Sequence, residues 1–225
     1  MELQPRLIEV SLPERPAGIV LVLHGGASRR GSMRVSPTQL SVLRMIPIAQ
    51  RISALSRTEL AVFRVLNTTR GWGTGHTPAD DARWALRRAC ERLERRLPAC
   101  LVGHSLGGRA ALLTAGHPEV HSVVALAPWV YPTDAVSGVD GKPILVVHGD
   151  ADRIASPERS EALARRLGDS ADVGYISVRG GTHSMLRRHR LFDSLAAEFA
   201  AATLLGSPTD GPIGRVRNGE SFIEV

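Results

Sequence analysis

A serine flanked by glycines is the residue whose setting most clearly suggests chemistry. Ser105 lies in Gly103-His104-Ser105-Leu106-Gly107, after the apolar run Cys100-Leu101-Val102 and before a helix-like segment from Gly108 to Ala115. On a strand-turn-helix unit of this kind the serine is held in a strained conformation, and glycines stand where side chains would collide with the neighbouring strand and helix. The N-terminus of the helix also favours developing negative charge. We therefore predict that Ser105 is a nucleophile.

Three other motifs follow predicted strands. They are Leu23-His24-Gly25-Gly26-Ala27, His148-Gly149-Asp150-Ala151-Asp152-Arg153-Ile154 and Gly180-Gly181-Thr182-His183. Together with the Ser105 motif they make the chain, from about residue 6 to residue 205, resemble the α/β-hydrolase family. The resemblance implies an α/β fold with a mostly parallel central sheet and helices on both faces.

The resemblance also implies a chain order of nucleophile, acid and histidine, so the acid and the base must follow Ser105. His183 and His189 are the two histidines that follow a plausible acid. His189 lies inside a predicted closing helix, Ser184 to Leu204, and is interpreted as a solvated helix residue. His183 lies in a glycine-rich turn after the last predicted strand, and we predict that it is the general base.

Two aspartates follow the predicted strand Ile144 to Val147, at its carboxyl end. The family pattern favours Asp152 as the acid, which would fix the tautomer of His183 and stabilise the imidazolium that forms. Asp150 is the alternative. We interpret it as a structural residue that holds the turn by bonding backbone amides.

The loop after the first central strand supplies, by the same resemblance, one backbone N–H of an oxyanion hole, and the residue after the nucleophile supplies the other. We predict Gly26 as the first donor, with Ala27 as the alternative, because glycine lets the backbone turn its amide towards the substrate. Leu106 is the predicted second donor. His24 is interpreted as a residue that organises the loop.

These roles predict a serine hydrolase that cleaves a carboxylic ester or thioester through an acyl-enzyme at Ser105, with no cofactor and no metal. The same acyl-enzyme would serve an acyltransferase or a cofactor-free perhydrolase, and a non-catalytic binding protein that retains the fold is a further alternative. The expected partner is a small-molecule acyl ester or thioester. We predict neither nucleic acid nor membrane as a partner, and the oligomeric state is not readable from the sequence.

The short segment Pro128 to Lys142 between two predicted strands leaves no room for a cap domain, as in small carboxylesterases, acyl thioesterases and dienelactone-hydrolase-like proteins. Three aromatic residues on predicted loops either line an acyl pocket or pack under the loops: Trp72, Trp129 and Tyr131. Arginines flank two predicted catalytic loops: Arg29, Arg30, Arg34, Arg187, Arg188 and Arg190. They raise the hypothesis of an anionic substrate, the alternative being that the chain uses arginine everywhere.

The elements that must position these residues alternate along the chain. Short, near-continuous apolar runs indicate strands covered on both faces, and they alternate with helical segments such as the one that Thr77 caps. Asp80 and Asp81, in the first turn of that helix, are predicted to be structural. The alternation predicts parallel strands joined by right-handed crossovers, with the ligand site at their carboxyl ends. Arg6 to Leu12 is predicted to form an antiparallel edge strand.

The 225 residues and their 43% hydrophobic content fit one domain, residues 1–205. Residues 206–225 lack periodicity and are predicted to be a loosely docked C-terminal tail, so that truncation after about Leu205 leaves the fold intact.

The formal charge of +6 comes from basic residues mixed with acidic ones, which argues against nucleic-acid binding. Cys90 and Cys100 are predicted to be free thiols. With no signal peptide and no apolar stretch of about 20 residues, a cytoplasmic location is expected.

Overall fold

The computed structural model describes residues 4–26, 33–56, 59–73 and 77–225. The strands are β1 Arg6–Ser11, β2 Gly18–Leu23, β3 Leu60–Leu66, β4 Ala99–His104, β5 Val120–Leu126, β6 Pro143–Gly149, β7 Asp172–Val178 and β8 Phe222–Glu224. The helices are α1 Leu40–Leu43, α2 Met45–Leu55, α3 Pro78–Leu93, α4 Leu106–Thr114, α5 Pro157–Leu167, α6 His189–Leu205 and α7 Gly211–Arg217.

The strands form one sheet in the order β1-β3-β2-β4-β5-β6-β7-β8. Strand β1 pairs antiparallel with β3 at the edge, and the other neighbours pair parallel. Every residue of β2 and β4 is buried, which explains why their sequences are apolar without alternation. The predicted mostly parallel sheet and its antiparallel edge strand are confirmed.

Helices cover both faces of the sheet, as predicted. The apolar sides of α3, α4 and α5 belong to the core on one face, and those of α2, α6 and α7 belong to the core on the other. Helix α3 begins as expected. Thr77 and Asp80 form a reciprocal capping box, and Asp81 accepts hydrogen bonds from the backbone amide and hydroxyl of Thr68. The structural interpretation of the two aspartates is confirmed.

The link between β5 and β6 contains neither helix nor strand, so the predicted absence of a cap domain is confirmed. Helix α6 starts later than predicted, at His189 instead of Ser184, because the preceding segment turns back on itself with Met185 and Arg188 at positive φ. Cys90 and Cys100 are free thiols. Across the described ranges, no helix is long and apolar enough to cross a membrane.

The expectation of a loosely docked C-terminal tail is wrong. Strand β8 pairs parallel with β7, and α7 packs beneath the sheet. Three apolar side chains from this segment are buried in the core: Ile213, Val216 and Ile223. The sequence pattern missed these elements because they have seven and three residues, too few to display a periodicity.

Candidate active site

Ser105 stands on a strained turn between β4 and α4, with φ 56° and ψ −118°. The turn is tight enough to require both flanking glycines. A Cβ on Gly103 would lie 2.1 Å from the carbonyl oxygen of Gly107, and one on Gly107 would lie 2.4 Å from that of Leu23. The geometry thus supports the steric reason given for the two glycines, and the strain holds the Ser105 hydroxyl at the carboxyl edge of the sheet.

The loop after β7 brings His183 to the same edge. Gly181 in this loop packs directly on Gly149 at the end of β6, where any Cβ would meet backbone atoms closer than 3.0 Å. His183 Nε2 lies 3.0 Å from Ser105 Oγ, and His183 Nδ1 lies 2.8 Å from Asp152 Oδ2. The structure therefore brings the three predicted residues together in the order serine, histidine, aspartate.

Asp152 is held from several directions. Its Oδ1 accepts hydrogen bonds from the amides of Ile154 and Ala155, and its Oδ2 faces His183 and His148. Burial acts to raise the pKa of Asp152, but the hydrogen bonds from His148, His183 and Ile154 outweigh it and hold the pKa well below the usual range. The side chain is an ionised carboxylate at neutral pH.

The two alternative residues lie away from this cluster. Asp150 accepts a hydrogen bond from the amide of Gly180 at 2.6 Å, as expected for a residue that holds the turn. His189 is exposed at the start of α6, with Nδ1 3.3 Å from the carbonyl oxygen of Leu186. Neither side chain has a hydrogen bond to Ser105, His183 or Asp152 among the described residues.

The two predicted amide donors flank Ser105. Gly26 follows β2 and packs close to Leu106, since a Cβ on Gly26 would lie 3.1 Å from Leu106 Cδ1. Leu106 is the first residue of α4, where the backbone N–H has no partner within the helix. His24 donates from Nδ1 to the carbonyl of Gly25 and accepts at Nε2 from the amide of Asn67, which fits a loop-organising role. Ala27 lies outside the described residues.

The carbonyls of three consecutive residues, 183 to 185, accept hydrogen bonds from buried side chains. His104 Nε2 donates to the carbonyl of His183 at 2.8 Å, and Arg44 donates to those of Ser184 and Met185. Burial lowers the pKa of His104 to about 3, so His104 is neutral and its single N–H is committed to this bond. Arg44 also pairs with Asp193 at 2.9 Å, and both side chains are about nine-tenths buried.

A cavity of about 490 Å³ opens beside Ser105. Its lining includes the candidate catalytic pair Ser105 and His183, and much of the remaining wall is apolar: Leu40, Leu43, Pro47 and Leu186. Leu40 and Leu186 are 82% and 68% exposed. An exposed apolar rim around such a cavity favours a ligand with an apolar group.

The predicted pocket aromatics do not line this cavity. Trp72 and Tyr131 pack on the guanidinium of Arg109, at 4.0 and 4.7 Å from the ring centroids, because Asp134 holds that guanidinium between them. Trp129 lines a separate cleft, together with Asp152 and the start of α5. Their interpretation as lining of an acyl pocket at Ser105 is corrected accordingly.

The predicted arginine clusters also lie apart from the cavity wall, as far as they are described. Arg187, Arg188 and Arg190 are exposed, and Arg34 forms a β-bridge with Thr69. Arg29 and Arg30 lie outside the described residues. Among the described residues, no group of three potential metal ligands is present.

Sequence reasoning missed the roles of three residues at the site, His104, His148 and Arg44. His148 stands four residues before Asp152 at the end of β6, a position that places it at the same edge of the sheet. Its place in the aspartate motif was therefore a usable signal. Arg44 bonds the carbonyls of Ser184 and Met185, about 140 positions further along the chain, and no local sequence pattern predicts such a contact.

A strained serine at a strand-to-helix turn, followed along the chain by an aspartate and then a histidine at the carboxyl edge of a mainly parallel sheet, defines the α/β-hydrolase class of proteins. The sequence agrees: the model of the alpha/beta hydrolase family matches residues 19–208. The chain belongs to this family. No curated protein matches it by sequence.

Solved structures similar to this chain share its architecture. Est1E from Butyrivibrio proteoclasticus, in a structure with bound ferulic acid, is 16% identical with a TM-score of 0.65, over 89% of this chain and 96% of that one. An α/β serine hydrolase without a lid, XC6422 from Xanthomonas campestris, is 18% identical with a TM-score of 0.63, over 94% and 99%. The esterase Pf2001 from Pyrococcus furiosus is 13% identical with a TM-score of 0.64, over 90% and 93%. At these identities the similarity establishes the fold.

Proposed function

We propose that this hydrolase cleaves neutral carboxylic esters that carry an apolar group, through an acyl-enzyme at Ser105. The observation that carries the proposal is the hydrogen-bonded series from Ser105 Oγ through His183 to Asp152. In this arrangement a histidine can remove the serine proton while a carboxylate holds its tautomer. Solved relatives described as esterases agree with ester hydrolysis.

The proposed reaction uses His183 twice. His183 Nε2 accepts the proton of Ser105 as Oγ forms a bond to the acyl carbon, and it returns that proton to the alkoxide oxygen as the ester C–O bond breaks. Water then attacks the acyl-enzyme while the same nitrogen takes its proton, and Ser105 is released with that proton restored. Asp152 keeps the Nδ1–H of His183 pointing away from Ser105 throughout.

The negative charge on the carbonyl oxygen requires donors that are already in place. The amide of Leu106 at the start of α4 and the amide of Gly26 are the proposed pair, since Leu106 follows Ser105 in the chain, Gly26 packs against the Leu106 side chain, and Gly26 lines the cavity with Ser105. Loss of one such donor costs on the order of 100-fold or more in turnover.

The substrate class follows from the cavity beside Ser105. Among the described residues, its wall is formed largely by leucines and a proline, and the guanidinium of Arg44 in that wall is paired with Asp193. A neutral apolar acyl or alkyl group is accommodated there without leaving a charge unpaired. The hypothesis of an anionic substrate has no support from the described arginines.

The test combines active-site labelling with a chain-length series. Wild-type protein should react with a fluorophosphonate probe and hydrolyse p-nitrophenyl esters, and Ser105→Ala should abolish labelling and lower turnover on the order of 10⁴-fold or more. Labelling that persists in Ser105→Ala refutes the nucleophile. Products formed with added alcohol or thiol acceptors would reveal acyl transfer in place of hydrolysis.

The apolar wall is tested separately. Leu186→Ser should raise KM for hexanoate and octanoate esters several-fold more than for acetate, because only the longer chains reach the rim. Leu55→Ser is the matched control, since Leu55 is an exposed leucine at the end of α2 and lies outside the cavity. Equal effects of Leu186→Ser on short and long esters contradict the proposed substrate class.

A further inference from the structure

A second histidine, His148, lies behind the candidate acid. It is completely buried at the end of β6, with Nε2 3.0 Å from Asp152 Oδ2 and Nδ1 2.6 Å from Ser160 Oγ on α5. Asp152 Oδ2 is the same oxygen that His183 Nδ1 approaches from the other side. One carboxylate oxygen therefore stands between two imidazoles.

The protons in this chain of contacts can be assigned from the partners. Asp152 is an ionised carboxylate, which cannot donate, so the contact with His148 requires a proton on Nε2. Ser160 Oγ lies within reach of two groups, His148 Nδ1 and the carbonyl of Pro157 at 2.8 Å. If the hydroxyl donates to Nδ1, His148 is neutral. If it donates to Pro157, Nδ1–H donates to Ser160 and His148 is an imidazolium. Both assignments leave the proton on Nε2.

The other titratable groups near His148 approach its Ser160 side. Tyr175 on β7 contacts the carbonyl of Pro157 at 3.3 Å, and it stays a neutral hydroxyl because burial raises the pKa of Tyr175 to about 12. Glu158 on α5 accepts a hydrogen bond from the Ser156 hydroxyl. Among the described residues, the carboxylate oxygens of Asp152 are hydrogen-bonded to the two histidines and to the backbone amides of Ile154 and Ala155. The other imidazole that faces His183 is that of His104, whose ring centroid lies 5.1 Å away and which is neutral because burial lowers its pKa to about 3.

We propose that His148, held by Ser160, is a positioning residue for Asp152, fixing the carboxylate and sharing the charge of the oxygen that binds His183. The inference rests on the proposed function, in which His183 is the base. A second donor on Oδ2 withdraws negative charge from the His183 contact. With His148 in place, the Asp152–His183 hydrogen bond still fixes the His183 tautomer. It does not stabilise the imidazolium so strongly that His183 cannot release its proton.

Removal of the His148 donor should shift the pH dependence of kcat/KM in one direction. In His148→Leu the whole charge of Oδ2 faces His183, so the imidazolium is favoured and the acid limb of the kcat/KM profile moves to higher pH by about half a unit or more. The loosened carboxylate lowers kcat by about 10-fold, by analogy with the loss of a hydrogen-bond partner behind a metal-binding histidine, which costs about 10- to 100-fold. KM stays unchanged, because His148 does not line the cavity.

Three companion variants separate positioning from folding. His148→Gln keeps an N–H near the Nε2 position and should restore most of the wild-type profile. Ser160→Ala removes the partner that fixes His148 and should give an intermediate shift. Ser122→Ala is the matched control: Ser122 is a fully buried serine on β5, bonded to Thr203 at 2.8 Å, and its loss should leave the profile unchanged.

A spectroscopic measurement keeps the inference independent of activity. The proton between His183 Nδ1 and Asp152 should give a downfield NMR resonance, and this resonance should move further downfield in His148→Leu but not in Ser122→Ala. A folded His148→Leu protein with an unchanged resonance and acid limb overturns the inference. If that variant does not fold, an unchanged resonance in Ser160→Ala overturns it. Undiminished turnover in Ser105→Ala would instead refute the proposed function alone.

Discussion

The two aspartates of the motif after β6 show how two similar residues acquire different roles through their surroundings. Asp152 is buried, and its two oxygens receive two backbone amides and two imidazoles. Asp150, two positions earlier, is exposed and bonds one amide of the neighbouring turn. Sequence alone ranked them by a family pattern. The hydrogen-bond partners now supply the physical reason for the ranking.

Exchange of each aspartate for asparagine tests this difference. Asp152→Asn removes the charge that orients His183 and should lower kcat/KM on the order of 10⁴-fold. Asp150→Asn retains an oxygen that can accept from Gly180 and should change kcat/KM by less than about threefold, as surface substitutions away from special features do. Comparable losses in the two variants, measured with one p-nitrophenyl ester, would contradict the assignment.

The stability of the fold should also depend on the Asp152 charge. Because the pKa of Asp152 is lower in the folded protein than its ordinary value of 3.8, its ionisation stabilises the fold above about pH 4, and this contribution is lost as the pH falls further. Urea unfolding at pH 6 and pH 3 should therefore show a larger fall in the free energy of unfolding for wild type than for Asp152→Asn. Parallel falls would show that Asp152 is not the linked group.

At the scale of elements, one buried ion pair connects the wall of the cavity to the loop that carries His183. Arg44 stands between α1 and α2, where the leucines of α1 face the cavity. Its guanidinium reaches Asp193 in α6 and the carbonyls of Ser184 and Met185. The loop that carries His183 is thus held against the helices that line the cavity.

Removal of the Arg44 guanidinium should have separate effects on stability and on turnover. Arg44→Met leaves Asp193 as an unpaired buried charge and should cost about 3–5 kcal/mol of stability. Arg88→Met is the matched control, because the Arg88–Glu91 pair is about 60% exposed, and such pairs contribute at most about 1 kcal/mol. Arg44→Met/Asp193→Asn removes the lone charge and should regain stability but not kcat, since the loop carbonyls still lack donors. Full recovery of kcat in the double variant would contradict this role.

The sequence predicts the features that depend on residues close together in the chain. It does not predict contacts between residues that lie far apart in the chain. The apolar strands, the turn of Ser105 and the cap of α3 each depend on residues close together in the chain, and their residue types announce them. Trp72, Tyr131 and Arg109 come from three segments, so their mutual packing left no local signal and the pocket interpretation failed. Arg44 was missed for the same reason. His148 had a local signal in its motif, but the role proposed for it depends on Ser160, twelve residues away on another element.

At the scale of the whole molecule, the sheet order determines where the site forms. The loops after β2, β4, β6 and β7 carry Gly26, Ser105, Asp152 and His183, and all leave the same carboxyl edge of parallel strands. The C-terminal segment stabilises this edge indirectly, because β8 pairs with β7, the strand that leads to the His183 loop. The backbone of Arg179 bonds Val225, and Arg217 bonds the end of α6.

The docked segment leads to a prediction opposite to the one drawn from sequence. Truncation after Leu205 removes three buried side chains, each contributing about 1.5–3 kcal/mol, from a fold whose total stability is on the order of 5–15 kcal/mol. The truncated protein should be largely unfolded.

A subtler test uses Gly174 on β7, where a Cβ would lie 2.3 Å from Val216 Cγ1 of α7. Gly174→Ala should cost about 1–3 kcal/mol by overpacking, and Val216→Ala should relieve part of that cost. Urea unfolding of the single and double variants should show a coupling of about 0.5 kcal/mol or more, whereas simple additivity would mean that α7 is not packed on the sheet.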